Sequence, residues 1–328
     1  MLHLTNKTTY LHQKFYNNIY DLCKNQNFNS AIIAISGGQD SLCLIKLLQD
    51  FKKIYTNILD IDYVYVDHQW KKDSKQQIEH LVNFIDFINE KIYIYQINRT
   101  IQSETDARKA RYQLLTNHSI YYKKTIIITA HTMNDQIETF VNQIIRGAGI
   151  DGATSLTIYR ILDSNIQIWR PLINFTRIEI NWLCRKYYLP IWSDITNYSY
   201  YIYRNRVRNE LLPYLKQYFQ QNIEVQINKF LDSTRIDNEY IKQNAIKLYL
   251  LSRHKKNIAI NYKLIKKQHS SLIIRTLQIF LYHNLNIKIN YHLIKEFIHK
   301  LNCSTEHKTT IKYFNINLYT YYNWIYIG

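Results

Sequence analysis

The apolar positions change period along the chain. Residues 31–35 (AIIAI), 61–66 (IDYVYV), 92–97 (IYIYQI), 125–129 (TIIIT) and 166–169 (IQIW) are short runs rich in β-branched and aromatic side chains. Such runs predict strands. Between them the spacing becomes helical. Leu11, Phe15, Ile19 and Leu22 mark one face of a helix within residues 1–30. Leu42, Leu44, Ile45, Leu47 and Leu48 mark a second from Ser41 onward, and Ile78, Leu81, Val82, Ile85 and Ile88 a third. Further helices are predicted over 104–116 and 134–146. Strands alternating with helices imply an α/β fold, a parallel sheet with helices on both faces.

After Pro213 the pattern shifts. Residues 216–302 read as wholly helical, with Ile223, Ile227, Phe230 and Leu231 on one face, and residues 311–327 alternate like a terminal β-hairpin. Two domains follow: 1–215, and a smaller, mainly helical 216–328.

The first strand runs into Ser36-Gly37-Gly38-Gln39-Asp40-Ser41 and then a helix. A strand, a glycine turn and a helix start form an anion site, because the first helical amides are unpaired and glycine allows close approach. Ser36 and Ser41 add hydroxyl donors. Asp40 repels phosphate, so beside one it makes sense as a Mg²⁺ ligand. GxxxxGK[ST] and GxGxxG are both absent. In parallel sheets ligands sit at the carboxyl ends of strands. The segments at Ser36, Asp67 and His131 all follow such ends and predict one crevice.

Asp135 and Glu138 lie three apart near a predicted helix start, where carboxylates suit the helix dipole and can bind Mg²⁺ or an ammonium group, or simply cap the helix. Arg146, Gly147, Gly149 and Gly152 follow as a turn. Arg108 and Arg111 share a helix face and can clamp phosphates. Arg204, Arg206 and Arg208 follow a tyrosine-rich stretch at 198–203. Arginine interleaved with aromatics suits single-stranded RNA.

Composition narrows the class. The chain has 328 residues, 42 basic against 25 acidic, and a net charge of +17. This favours a polyanionic partner. No apolar run reaches membrane-span length, so no membrane role is expected. The first 30 residues lack a secretory or transit pattern. The four cysteines, Cys23, Cys43, Cys184 and Cys303, form no CxxC, which argues against disulfides, zinc and iron–sulfur clusters. Lys, Asn, Ile and Tyr are abundant and glycine is scarce, as in an AT-rich plastid or reduced bacterial genome.

SGGQDS resembles the pyrophosphate (PP) loop of ATP pyrophosphatases. The order SGGQDS, VDH, ARKARY, AHTMNDQIETF, RGAGIDG, RPL, DITN, RNRVRNELLP resembles the tRNA(Ile)-lysidine synthetase family from residue 31 to about 215. The family's usual VDHGLR reads Val66-Asp67-His68-Gln69-Trp70-Lys71 here, DQAET reads DQIET, and DPSN or DESN reads DITN at 194–197. These changes spare the charged positions.

The resemblance implies a plastid-type enzyme with ATP and Mg²⁺ as cofactors. The wobble cytidine of an isoleucine tRNA with a CAU anticodon is adenylated on its 2-carbonyl oxygen. Free lysine then displaces AMP. Ser36, Gly37, Gly38, Gln39, Asp40, Ser41, Asp67, His68 and Arg111 are implied to hold ATP. Asp40, Asp135, Arg204 and Arg208 are implied to be catalytic, with Asp40 and Asp135 on the metal. His131, Glu138, Arg146, Gly147 and Gly149 are implied to line the substrate crevice. Residues 216–328 would bind tRNA, a homodimer is allowed, and the plastid stroma or a bacterial cytoplasm would be the compartment. The alternatives are a tRNA thiolase of the same superfamily, disfavoured by the lone cysteines, and a non-catalytic RNA-binding relative, disfavoured by the intact Asp40 and serines.

Overall fold

The computed structural model describes residues 8–23, 30–54, 60–69, 74–97, 103–163, 165–192, 203–287, 289, 291–303, 308–313 and 316–327. The Trp70-Lys71 pair, the DITN segment and tyrosines 198–201 lie outside the described residues. The chain divides into two compact units, Met1–Phe230 and Leu231–Gly328.

The first unit is built on a sheet of β1 (Ser30–Ile35), β2 (Asp60–Asp67), β3 (Ile92–Gln96), β4 (Ile126–Thr129), β5 (Tyr159–Asp163) and β6 (Ile166–Trp169), in the order β3-β2-β1-β4-β6-β5. β1 pairs in parallel with β2 and β4, β2 with β3, and β4 with β6. Only β5 is antiparallel. It lacks the signal of the other strands. Arg160 and Asp163 interrupt its apolar run, and it lies mostly exposed at the sheet edge.

The helices are α1 (Tyr10–Cys23), α2 (Gln39–Ile54), α3 (Ser74–Phe87), α4 (Glu104–Tyr121), α5 (Met133–Ile145), α6 (Ile150–Ala153) and α7 (Arg177–Lys186). Side chains alternate across the pleat. Ile33, Ile35, Tyr63, Tyr65 and Trp169 pack on one face with Phe15 of α1, Leu42 of α2, Leu81 of α3 and Leu183 of α7. Ile32, Val64, Val66, Ile127 and Ile168 pack on the other with Ala110 and Leu115 of α4. The predicted two-sided parallel sheet is therefore present, and its carboxyl ends stay clear for a site.

Asp50 ties α1 to α2. Its carboxylate faces His12 Nε2 at 3.1 Å and accepts from Lys46 Nζ at 3.0 Å. Burial pushes the Asp50 carboxyl up, but His12 and Lys46 together outweigh it and hold it at about 2. A depressed carboxylate contributes stability above its unfolded value near 4 and loses it as pH falls toward 2. Asp50→Asn should therefore cost about 2 kcal/mol at neutral pH, with the deficit vanishing between about pH 4 and pH 2. Chemical denaturation across that range reads it.

Beyond the sheet come α8 (Tyr203–Arg206), a single π-helical turn (Val207–Leu211) and α9 (Leu212–Tyr218). Pro213 offers no N–H and crowds the carbonyl four residues back, which a widened turn relieves. The long α10 (Ile223–Ser252) begins in this unit. Glu224 accepts from Asn134 Nδ2 at 2.7 Å, and the Phe230 ring lies 5.9 Å from that of Phe140. These contacts tie the start of α10 to the first compact unit, which runs to Phe230.

The second unit contains the rest of α10, α11 (Tyr262–Ile265), α12 (Ser270–Leu285) and α13 (Tyr291–Cys303). It also holds an antiparallel sheet of β7 (Ala259–Asn261), β8 (Lys308–Tyr313), β9 (Ile316–Tyr321) and β10 (Trp324–Ile327), ordered β7-β10-β9-β8. The expected terminal hairpin is present as β9 and β10 and is extended by β8 into a three-stranded meander, while β7 interrupts the expected wholly helical run over 216–302. β7 is too short to show a period, yet Ala259 and Ile260 are buried in it. Among the described residues no helix is long and apolar enough to cross a membrane.

Candidate active site

A cavity of about 460 Å³ opens at the carboxyl ends of β1, β2 and β4. Its wall includes Ser36, Gly38, Gln39, Asp40, Ser41, His68, Arg111, His131, Asp135, Arg204 and Arg208. Residues far apart in sequence meet there because parallel strands deliver their following loops to one edge.

The loop between β1 and α2 is fixed from behind. Gln77 Nε2 donates to Ser36 O at 2.7 Å, and Ser41 Oγ donates to Gly38 O at 2.9 Å. Gly37 has φ +75°, and a Cβ there would stand 3.3 Å from Gln77 and Leu81. The left-handed backbone region favours glycine, and a Cβ would crowd both side chains. Helix α2 starts at Gln39, so its unpaired first amides face the cavity.

Asp40 is the unusual member. Its Oδ1 is shielded from solvent and has no hydrogen-bond partner. Burial first, then the charge of Asp135, raise its carboxyl to about 6, against the pull of Arg177 and Arg208. A shielded carboxylate oxygen without a partner fits a Mg²⁺ ion, which takes one or two protein carboxylates and fills its shell with phosphate and water. Asp135 fits less well in this arrangement. Its Oδ2 accepts from Thr132 N at 2.7 Å as a helix cap, and its Oδ1 is paired with Arg204. Among the described residues no group of three or more His, Cys, Asp or Glu gathers as a metal site.

Glu138 is fully buried and does not line the cavity. It accepts from Arg204 Nε at 2.5 Å and from Arg208 Nε and Nη2 at 2.6 and 3.1 Å. It is held by two arginines rather than exposed at the cavity wall. The helix carrying them packs on α5 through Met133, Ile137, Val207 and Leu212. Burial raises the Asp135 carboxyl, but Arg204, the Thr132 backbone N–H and Arg208 together outweigh it, so Asp135 stays ionised. His131 holds Thr129 Oγ1 at 2.8 Å. Burial drives its imidazole well below the usual range, with Arg170 and Arg111 adding and Asp135 opposing, so it is neutral.

Several expected residues lie elsewhere. Asp67 is buried outside the cavity wall and caps its own turn, accepting from Gln69 N at 2.9 Å. Arg146, Gly147 and Gly149 are exposed beyond the far end of α5 and do not line the cavity. A 13-residue helix places them about 18 Å from its start. Conversely, Gln77, Tyr112, Arg177, Trp192 and Asn205 line the wall without having been singled out. Arg177 had a signal. It opens α7 behind a Thr176–Glu179 capping box, legible as T-x-x-E.

A PP-loop domain model matches residues 11–215. A chloroplastic tRNA(Ile)-lysidine synthase of Gracilaria tenuistipitata var. liui is 48% identical over 319 residues, 97% of this chain and 99% of that protein. The chain belongs to the tRNA(Ile)-lysidine synthase family. Its similarity to the chloroplastic member of Pyropia yezoensis is 35% over 98% of this chain and 97% of that one. The lysidine synthase of Nostoc sp. (strain PCC 7120 / SAG 25.82 / UTEX 2576) is 35% identical over 73% of this chain and 70% of that protein. A U34-tRNA thiolase from Methanococcus maripaludis superposes with a TM-score of 0.55 at 17% identity, over 68% of this chain and 79% of that one. That likeness concerns the fold alone. The lysidine synthase family thus pairs here with a cavity that joins a phosphate loop to a carboxylate–arginine network.

Proposed function

We propose that this chain joins free lysine to the wobble cytidine of a CAU-bearing isoleucine tRNA, using ATP and releasing AMP and pyrophosphate. The observation that carries this reading is one cavity holding both the Ser36–Ser41 loop and the Asp135–Arg204–Arg208 network. The first suits a polyphosphate and the second an ammonium beside a developing oxyanion. The cytidine 2-oxygen attacks the α-phosphorus and pyrophosphate leaves. The lysine amine then attacks the base carbon and AMP leaves.

The loop amides and Ser36 hydroxyl cradle the phosphates. Asp40 would hold a Mg²⁺ ion, which when bound would supply charge neutralisation at the phosphates. Arg204 and Arg208 offer fixed cationic donors where negative charge builds up. Asp135, at the same cavity wall, orients the amine. The ionised Asp135 carboxylate beside the amine can accept the proton that the amine must lose. Exposed Arg253, Lys255, Lys256, Lys266 and Lys267 suit the second unit to the tRNA backbone. The chloroplast stroma is the proposed compartment. The test is labelled lysine entering RNA only when both ATP and the wobble cytidine are present.

A further inference from the structure

Outside the cavity, helix α7 presents an unusual face. Arg177, its first residue, lines the cavity wall. From there Ile178, Trp182, Arg185 and Lys186 follow at helical spacing along one exposed side. Ile178 is 74% and Trp182 44% exposed. Lys186 Nζ sits 4.9 Å over the Trp182 ring, and the Tyr10 ring of α1 lies 6.3 Å from it. Just past the helix, Tyr188 is 92% exposed with φ +49°, a left-handed position where glycine is usual. Apolar rings held out in water mark an interaction surface.

Charge decides the kind of partner. The single acid of α7, Glu179, is taken by Lys14 Nζ at 2.8 Å and by the Thr176 cap. The exposed face is therefore cationic, with basic groups interleaved between rings. A protein-binding patch excludes charge from its centre, whereas single-stranded RNA wants rings for bases and cations for phosphates.

We propose that this face, with Trp182, Tyr10 and Tyr188 as stacking platforms and Arg185 and Lys186 as phosphate contacts, docks the unpaired RNA strand flanking the nucleotide held in the cavity. The inference rests on the tRNA reading above. α7 spans about 15 Å from the cavity edge outward, so the strand is guided along it rather than recognised at one point.

The test compares wild type, Trp182→Ala with Tyr188→Ala, and Arg185→Glu with Lys186→Glu, all exposed positions that leave the core intact. Binding of the isoleucine tRNA transcript is measured across a potassium chloride series, with ATP binding and melting temperature as controls. The aromatic pair should weaken tRNA binding about tenfold without altering the salt slope. The charge pair should weaken it at low salt and reduce the slope by about two, one per lost phosphate contact. A photo-crosslinker at position 182 should label the anticodon arm. Wild-type affinity and slope in both variants would overturn the proposal, as would crosslinks confined to a second copy of the chain. Lysine incorporation by wild type separates the two readings: if it occurs while the variants bind normally, only the α7 surface fails.

Discussion

Glu138→Gln should lower lysine transfer at least about 100-fold, although Glu138 touches no substrate. Its carboxylate is fully buried and fixes Arg204 and Arg208 through three N–H donors. Glutamine offers one acceptor oxygen and turns an amide N–H₂ toward a guanidinium. Losing one partner of a buried charge network costs about 3–5 kcal/mol if nothing moves. Here something can move, because the side chains of Arg204 and Arg208 are 29% and 18% exposed and can swing toward water. The result is two misplaced arginines rather than an unfolded protein. Losing a preorganised donor to a developing oxyanion typically costs about 10²–10³ in rate. Single-turnover lysine transfer measured beside the melting temperature distinguishes the cases. A rate within about threefold of wild type would remove Glu138 from the positioning role.

Asp40→Asn should suppress AMP formation about 10³-fold and leave tRNA binding intact, since the substitution preserves shape and removes the charge. The same change should stabilise the ligand-free protein. Burial raises the Asp40 carboxyl from 3.8 to about 6. The folded state thus holds a proton more tightly than the unfolded state, so stability falls as pH rises from about 4 to about 6 and stays lower above. Asparagine removes that loss, and its melting temperature at pH 7 should exceed wild type. Higher stability with lost activity is the signature of a strained functional charge. Equal stability, or full adenylation, would contradict the role.

The sheet and its phosphate loop were legible because each rests on local signals. Residues 31–35 are β-branched, Gly37 and Gly38 interrupt them, and Leu42 onward keeps a helical period. The pairing of Asp135 with Glu138 on one helix face was legible for the same reason. Their division of labour was not. Only the fold brings Arg204 and Arg208 to Glu138, about 70 residues away in sequence, and so turns one acid into a buried anchor and leaves the other at the cavity wall. Asp67 follows a strand end as a ligand would, but the left-handed backbone of Gln69 turns its carboxylate onto the chain itself. Arg146 and its glycines follow the acids in sequence, yet helix α5 carries them away from the cavity. β5 and β7 carry too few apolar residues to reveal a period.

The central claim is that this one cavity adenylates RNA and then exchanges AMP for lysine. The direct measurement uses ATP labelled at the α-phosphate and the CAU-bearing isoleucine transcript, with lysine withheld and then added. Label should appear on the RNA before lysine arrives and leave as AMP when it does, with one lysine gained per AMP released. A transcript with uridine at the wobble position should acquire neither. Label that never joins the RNA, or lysine gained without prior labelling, would contradict the account.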